Sequence, residues 1–195
     1  MRLYLIDISE DKIKSVKKYF GTEENVNCIS INFLGFMERY TVDCVVSPAN
    51  AFGLMDGGYD KAISEYFGEE LQKKVQREIL GRWGGHQPLG TALTVSANEK
   101  IKLIHVPTMC VPSKIKDPFL IYECMRATLY EAKSQGIQAI VIPLFGGLTG
   151  QVDAETVAKM MWLGYKHVTH PQTEINWDVA WSVADEFADY GVPIE

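Results

Sequence analysis

No apolar run in this 195-residue chain approaches the roughly 20 residues that a membrane-spanning helix requires. The opening segment, Met1 to Asp7, also lacks the basic flank and apolar stretch of a secretion signal. The chain is therefore expected to be soluble and cytoplasmic, with no membrane partner. Basic residues are in short supply, 19 Lys and Arg against 25 Asp and Glu for a net charge of -6. The positive footprint needed to grip a polynucleotide backbone is missing, and duplex nucleic acid is not an expected partner. Cysteine is sparse: Cys28, Cys44, Cys110 and Cys124 stand far apart with no CxxC pair. They are expected to be reduced core thiols. The four histidines, His86, His105, His167 and His170, are scattered too, so neither a metal nor a cofactor is expected. Walker A (GxxxxGK[ST]) and dinucleotide (GxGxxG) patterns are both absent, which sets aside kinases, GTPases and dehydrogenases.

What is present is an ordinary globular composition, 47% hydrophobic and 23% charged, in a length suited to one domain over 1–195. Residues 2–7 read as a strand, and Ser9 caps a helix whose apolar face is Ile13, Val16 and Phe20. Strands are expected at 26–33 and 42–46, the first followed by an irregular stretch around Gly35. Helices are expected at 60–67 and at 69–80 with Gly81 as its stop. A hairpin follows with strands at 91–96 and 101–106, then a helix over 117–135, a strand at 138–143 and helices at 153–167 and 176–190. The last helix carries Trp177, Trp181 and Ala184 on one stripe, which predicts packing against the domain. Strands alternating with helices imply a three-layer α/β/α domain with a mixed, mostly parallel sheet. Nothing in the sequence sets the oligomeric state, and a monomer is the default expectation.

In open sheets of this kind ligands bind beyond the carboxyl ends of the strands. Two glycine-rich loops leave apolar strands there. The first runs from Ser47 through Asn50, Phe52, Asp56, Gly57 and Gly58 into a helix. Its glycines permit close approach, and the free N–H groups of the helix start favour an anion. The second is Pro143-Leu-Phe145-Gly146-Gly147-Leu148-Thr149-Gly150, leading to a helix capped by Asp153. Together they could clamp a diphosphate through backbone amides in place of Lys or Arg. The alternative is that the glycines only make tight turns.

Val46-Ser-Pro-Ala-Asn50 followed by Asp56-Gly57-Gly58-Tyr59-Asp60-Lys61-Ala62-Ile63 resembles the signature of macro domains, an Asn-Ala-Ala-Asn segment and then a glycine loop running into Val-Asp-Gly-Ala-Ile. Ser47 to Gly58 and Val106-Pro-Thr-Met109 are similar to the bacterial and phage branch of that family, which uses Ser-Pro-Ala-Asn. The resemblance covers about residues 1 to 170. It implies a macro-domain fold and a site for ADP-ribose or an ADP-ribosylated substrate, with the diphosphate between the two loops. It further implies that a group on the distal ribose is hydrolysed: a mono-ADP-ribosyl ester, O-acetyl-ADP-ribose or ADP-ribose 1''-phosphate. The rival implication is a reader that binds ADP-ribose without catalysis; a third possibility is a structural protein that has lost the ligand.

Carried over residue by residue, the resemblance assigns ribose orientation to Asn50, water or substrate positioning to Asp60, and the adenine contact to Asn32, where the family usually has Asp. Ala49, Phe52, Gly57, Gly58 and Tyr59 from the first loop and Phe145, Gly146, Gly147, Leu148, Thr149 and Gly150 from the second complete the expected ligand set. Without the resemblance, Asn50 reads as a turn residue, Asp60 as a helix-dipole partner and Phe145 as core. Further departures are Asp56 in place of a glycine, Tyr59 in place of a small branched residue, Lys61 in place of Gly, the shifted glycines of the second loop, and Gln151 and Val152 where an aromatic commonly follows that loop. Asp7, at the end of the first strand, is an alternative acid.

Overall fold

The computed structural model describes residues 1–191. Within them six strands form one sheet: β1 (Arg2–Asp7), β2 (Val26–Ser30), β3 (Cys44–Ser47), β4 (Leu93–Ser96), β5 (Lys102–His105) and β6 (Ala139–Pro143). Their order is β2-β1-β6-β3-β5-β4, parallel throughout except for the antiparallel β4/β5 hairpin at one edge. Among the described residues seven helices accompany them: α1 (Glu10–Phe20), α2 (Phe33–Arg39), α3 (Gly58–Phe67), α4 (Glu70–Trp83), α5 (Phe119–Ser134), α6 (Ala154–Thr169) and α7 (Trp177–Asp189).

Side chains alternate across the sheet with the period of two that a pleated strand imposes. Leu3, Leu5, Cys44, Val46, Ile104, Ile140 and Ile142 face one core shared with α1, α5 and α6. Tyr4, Ile6, Val45, Leu103 and Val141 face a second core shared with α2, α3 and α4. The three-layer architecture and the mostly parallel sheet are those expected from the sequence. Because β6 pairs with both β1 and β3, the loops leaving β3 and β6 emerge side by side. At the opposite end, the Asp43 carboxylate accepts from the backbone N–H groups of Gln138 and Ala139 at 2.9 and 2.8 Å, which fixes the start of β6.

Several local expectations need correction. The stretch around Gly35 is helical: Asn32 caps α2, its Oδ1 accepting from the Gly35 N–H at 2.7 Å, and Phe33 and Phe36 bury three residues apart on one face. The strand expected over 26–33 therefore stops at Ser30. Helix α4 passes through Gly81 and stops at Gly84, which adopts the left-handed conformation that glycine tolerates at a helix end. Cys110 is exposed, 3.5 Å from Nε2 of His86, while Cys44 and Cys124 are buried; the described cysteines are all free. The aromatic stripe of α7 is not core. Trp177 is 78% and Trp181 65% exposed, and the helix meets the domain through Phe187, which packs edge-on to Tyr122 and His167. Glu186 adds an ion pair with Lys166 and a 2.9 Å contact with Nε2 of His167. One buried aromatic and one charged cluster secure the C-terminal half of α7 and leave the indoles in water.

Candidate functional site

The carboxyl ends of β1, β3 and β6 open onto a cavity of about 520 Å³, within the range typical of small-molecule sites, about 300 to 1,000 Å³. Its floor is Asp7, Pro48 and Pro143, one wall is the first glycine loop with the start of α3, and the other is the second loop. Ile8, Ile31, Asn32 and Phe33 close the end nearest β1 and β2.

The first loop is tied down at its base. The chain after β3 keeps pairing with the chain after β5: the Ala49 N–H donates to Val106, Thr108 N–H to Ala49, and Ala51 N–H to Met109. Gly53 has φ +65, and a Cβ there would lie 2.9 Å from Val75 and Ile79, so this turn needs glycine on both counts. The Asn50 amide closes the turn. Its Nδ2 donates to the Leu54 carbonyl at 2.7 Å, and its Oδ1 accepts from the N–H groups of Phe52 and Leu54 at 3.1 and 3.3 Å. One Nδ2 hydrogen is left for the cavity that Asn50 lines. Gly57 is the N-cap of α3 and no side chain caps it, so the N–H groups of the first turn keep their capacity for an anion. Nothing lies within 4 Å of a Cβ built at Gly57 or Gly58.

Asp60 stands in that first turn, half-buried, and is one of the residues lining the cavity. The fully buried Ser47 hydroxyl, at the last position of β3, donates to Asp60 Oδ1 at 2.6 Å. Burial pushes the Asp60 carboxyl up to about 6, and the Ser47 hydrogen bond works against that rise. Ser47→Ala should raise it further, because the anion loses its donor. A carboxyl-carbon NMR titration that gives the same midpoint for both proteins would show that this bond does not tune the acid. Tyr59 lies beside it, ring edge-on to Phe33 at 5.4 Å, with a buried hydroxyl that has no hydrogen-bond partner among the described residues. Burial, and secondarily Asp60, hold that phenol well above its ordinary value, so it is a neutral donor.

The second loop turns on glycines for a different reason. Gly146 has φ +73, and a Cβ there would come within 2.9 Å of Ile115 and 3.0 Å of Ile121. At Gly150 a Cβ would sit 2.7 Å from the Gly146 carbonyl oxygen. The loop is folded against Ile115, whose N–H donates to Gly150 at 3.0 Å.

Of the expected ligand set, Asn32, Ala49, Asn50, Gly57, Gly58, Tyr59, Asp60, Gly146, Leu148, Thr149 and Gly150 surround this one cavity. Phe52, Phe145 and Gly147 lie off it. Phe145 is wholly buried at the end of β6, and Phe52 is part-exposed against His86. Asp56 also lines the cavity. Sequence reasoning missed Lys12 and the role of Ser47. Lys12 lines the cavity, its Nζ 2.6 Å from the Gly147 carbonyl and 3.6 Å from Asp7 Oδ2, so the site includes a cationic residue in addition to its backbone amides. Among the described residues, no three His, Cys, Asp or Glu side chains cluster closely enough to hold a metal, and no helix is long and apolar enough to cross a membrane.

The family model described as Macro domain matches residues 46–161, a span that contains both loops. A protein of Aquifex aeolicus (strain VF5), itself described only as uncharacterized, is 32% identical over 130 residues, 65% of this chain and 74% of the relative. Among solved structures, the macrodomain of Mycobacterium tuberculosis DarG matches with a TM-score of 0.58 and 16% identity, over 67% of this chain and 85% of that one. An Oceanobacillus iheyensis macrodomain mutant solved with ADPR matches with a TM-score of 0.57 and 22% identity, over 66% of this chain and 72% of that one. At these identities the structural matches speak for the fold, and the family model speaks for descent: the chain belongs to the Macro domain family.

Proposed function

We propose that this protein binds ADP-ribose in the cavity between the two glycine loops and hydrolyses a bond at its distal ribose. The observation that carries the reading is the placement of Asp60: an acid among the residues lining the cavity, at the uncapped start of α3, with its proton affinity raised to about 6. At neutral pH most of it is ionised, yet it is basic enough to take a proton from water, as a general base requires. Water attacks the distal substituent, Asp60 accepts its proton, and the proton then passes to the departing ribose oxygen. The diphosphate lies between the N–H groups at the start of α3 and the second loop, as helix starts favour phosphate. The base reaches the apolar end formed by Ile8, Ile31 and Phe33, with Asn32 beside it. Asn32 Oδ1 already accepts from Gly35, so its Nδ2 is the group most available to the base. Asn50 orients the ribose with its one remaining Nδ2 hydrogen. The protein works as a cytoplasmic monomer, a setting in keeping with its unpaired thiols.

A second reading, a reader that binds ADP-ribose without turnover, is favoured by one observation: most of the Asn50 hydrogen-bonding capacity is spent inside its own loop. Titration with ADP-ribose by calorimetry, with AMP as control, followed by incubation with an ADP-ribosylated protein and with O-acetyl-ADP-ribose, separates the two. Saturable binding much tighter than AMP, together with product release, is the expected result. Binding without turnover selects the reader. Absence of heat and of any thermal shift overturns both.

A further inference from the structure

Lysine is out of place in the first turn of a helix, where the positive end of the dipole favours acids. Glu10 and Asp11 obey that preference in α1; Lys12, in the same turn, does not. Its neighbour Lys14 extends into solvent, 69% exposed, whereas the Lys12 side chain folds back onto the protein, 20% exposed. There it donates to the Gly147 carbonyl across 135 positions of sequence and approaches Asp7 at 3.6 Å. Among the described residues lining the cavity it is the only basic one, against three acids, Asp7, Asp56 and Asp60. A wall of that balance repels a diphosphate unless the cation faces it. An ammonium has three donors; among the described residues Gly147 accepts one, and Asp7 stands at ion-pair distance, which leaves N–H capacity for a ligand. The bond to Gly147 has a second effect. In a planar trans peptide the N–H points opposite to the C=O, so anchoring the Gly147 carbonyl on Lys12 turns the Leu148 N–H away from it. Leu148 is a cavity residue and is 68% exposed.

We propose that Lys12 is the anion-binding side chain of this cavity: an N–H not engaged by Gly147 meets the ligand's diphosphate while its bond to Gly147 sets the second loop in the form that presents the Leu148 N–H. The proposal rests on the reading of the cavity as an ADP-ribose site and deepens it. It does not depend on hydrolysis.

Calorimetric titrations of the wild type and of Lys12→Met with ADP-ribose, inorganic pyrophosphate and adenosine test it. Loss of a charge-assisted hydrogen bond predicts affinity lower by about 10- to 100-fold for ADP-ribose and pyrophosphate, with adenosine unchanged within about twofold. In the wild type, the 13Cε resonance of Lys12 should move on adding pyrophosphate or ADP-ribose and stay in place with adenosine, a readout that does not depend on the variant folding. ADP-ribose binding preserved in Lys12→Met, an equal loss for adenosine, or an unmoved Lys12 resonance at saturation overturns the proposal. Pyrophosphate binding that needs Lys12, in a wild type that ignores ADP-ribose, overturns the ADP-ribose reading and keeps Lys12. A wild type that binds neither overturns both.

Discussion

Asp60→Asn should sharply reduce turnover and at the same time make the protein more stable above pH 6. The carboxyl has an ordinary value of 3.8 in the unfolded chain and is pushed up to about 6 in the fold, chiefly by burial. A carboxyl raised on folding contributes stability while it is protonated in both states, below about pH 4, and that contribution is lost as pH rises through about 6. Holding the charge at neutral pH costs about 1 to 3 kcal/mol. Asparagine has the same shape and no charge, and its carbonyl oxygen can still accept from Ser47. Melting temperatures of the two proteins should nearly coincide below pH 4, diverge between pH 4 and 6, and hold a constant gap of several degrees above pH 7, the variant being the more stable. Hydrolysis should fall by about a hundredfold or more, as removal of a general base does, and wild-type turnover should decline tenfold per pH unit below about 6. Turnover retained in Asp60→Asn, or a stability gap that does not change with pH, would remove Asp60 from the role assigned to it.

Gly150→Ala carries the largest expected loss. The new Cβ would lie 2.7 Å from the Gly146 carbonyl oxygen, 2.8 Å from Ile115 Cδ1 and 2.9 Å from Gly146 Cα. Two of these three neighbours are backbone, so the clash is relieved only by moving the loop. Overpacking of this kind costs about 2 to 3 kcal/mol, and the moved loop takes the Gly147 and Leu148 peptide with it. Denaturant unfolding should show the stability loss, and ADP-ribose affinity should fall more than tenfold. Gly57→Ala is the contrast. Its φ is -138° and no atom lies within 4 Å of the added methyl, so stability should drop by less than about 1 kcal/mol, the usual cost of alanine at an N-cap. Similar losses in the two variants would mean that the second loop is not held by the packing described above.

The sheet was legible because its central strands are short apolar runs, and the starts of α1 and α6 because Ser9 and Asp153 are good caps, each accepting from the backbone three residues on. Helix α2 was hidden by Gly35 at its centre and by its length of seven residues, although Asn32 with Phe33 and Phe36 was a signal. The two loops and Asp60 could be found from spacing and resemblance. Lys12 could not, because α1 places it among charged residues that face water, and only the tertiary fold brings Gly147 within its reach. Ser47 reads as the first residue of the glycine loop, with no role of its own, until α3 sets Asp60 against it. Phe145 was ambiguous, since the residue two past the end of a strand can face a loop or the core, and here it faces the core. The α7 stripe misled because helical periodicity identifies an apolar face without saying what, if anything, covers it.

The tryptophans stand where nothing bound in the cavity would touch them. Trp83 ends α4, Trp162 stacks on Tyr165 and meets Phe20 edge-on, and Trp177 and Trp181 project from α7 into solvent. Intrinsic fluorescence is therefore a poor gauge of ligand occupancy in this protein and a good one of helix attachment. Collisional quenchers should reach the two α7 indoles first, and a blue shift would report something settling on that helix rather than a nucleotide entering between the loops.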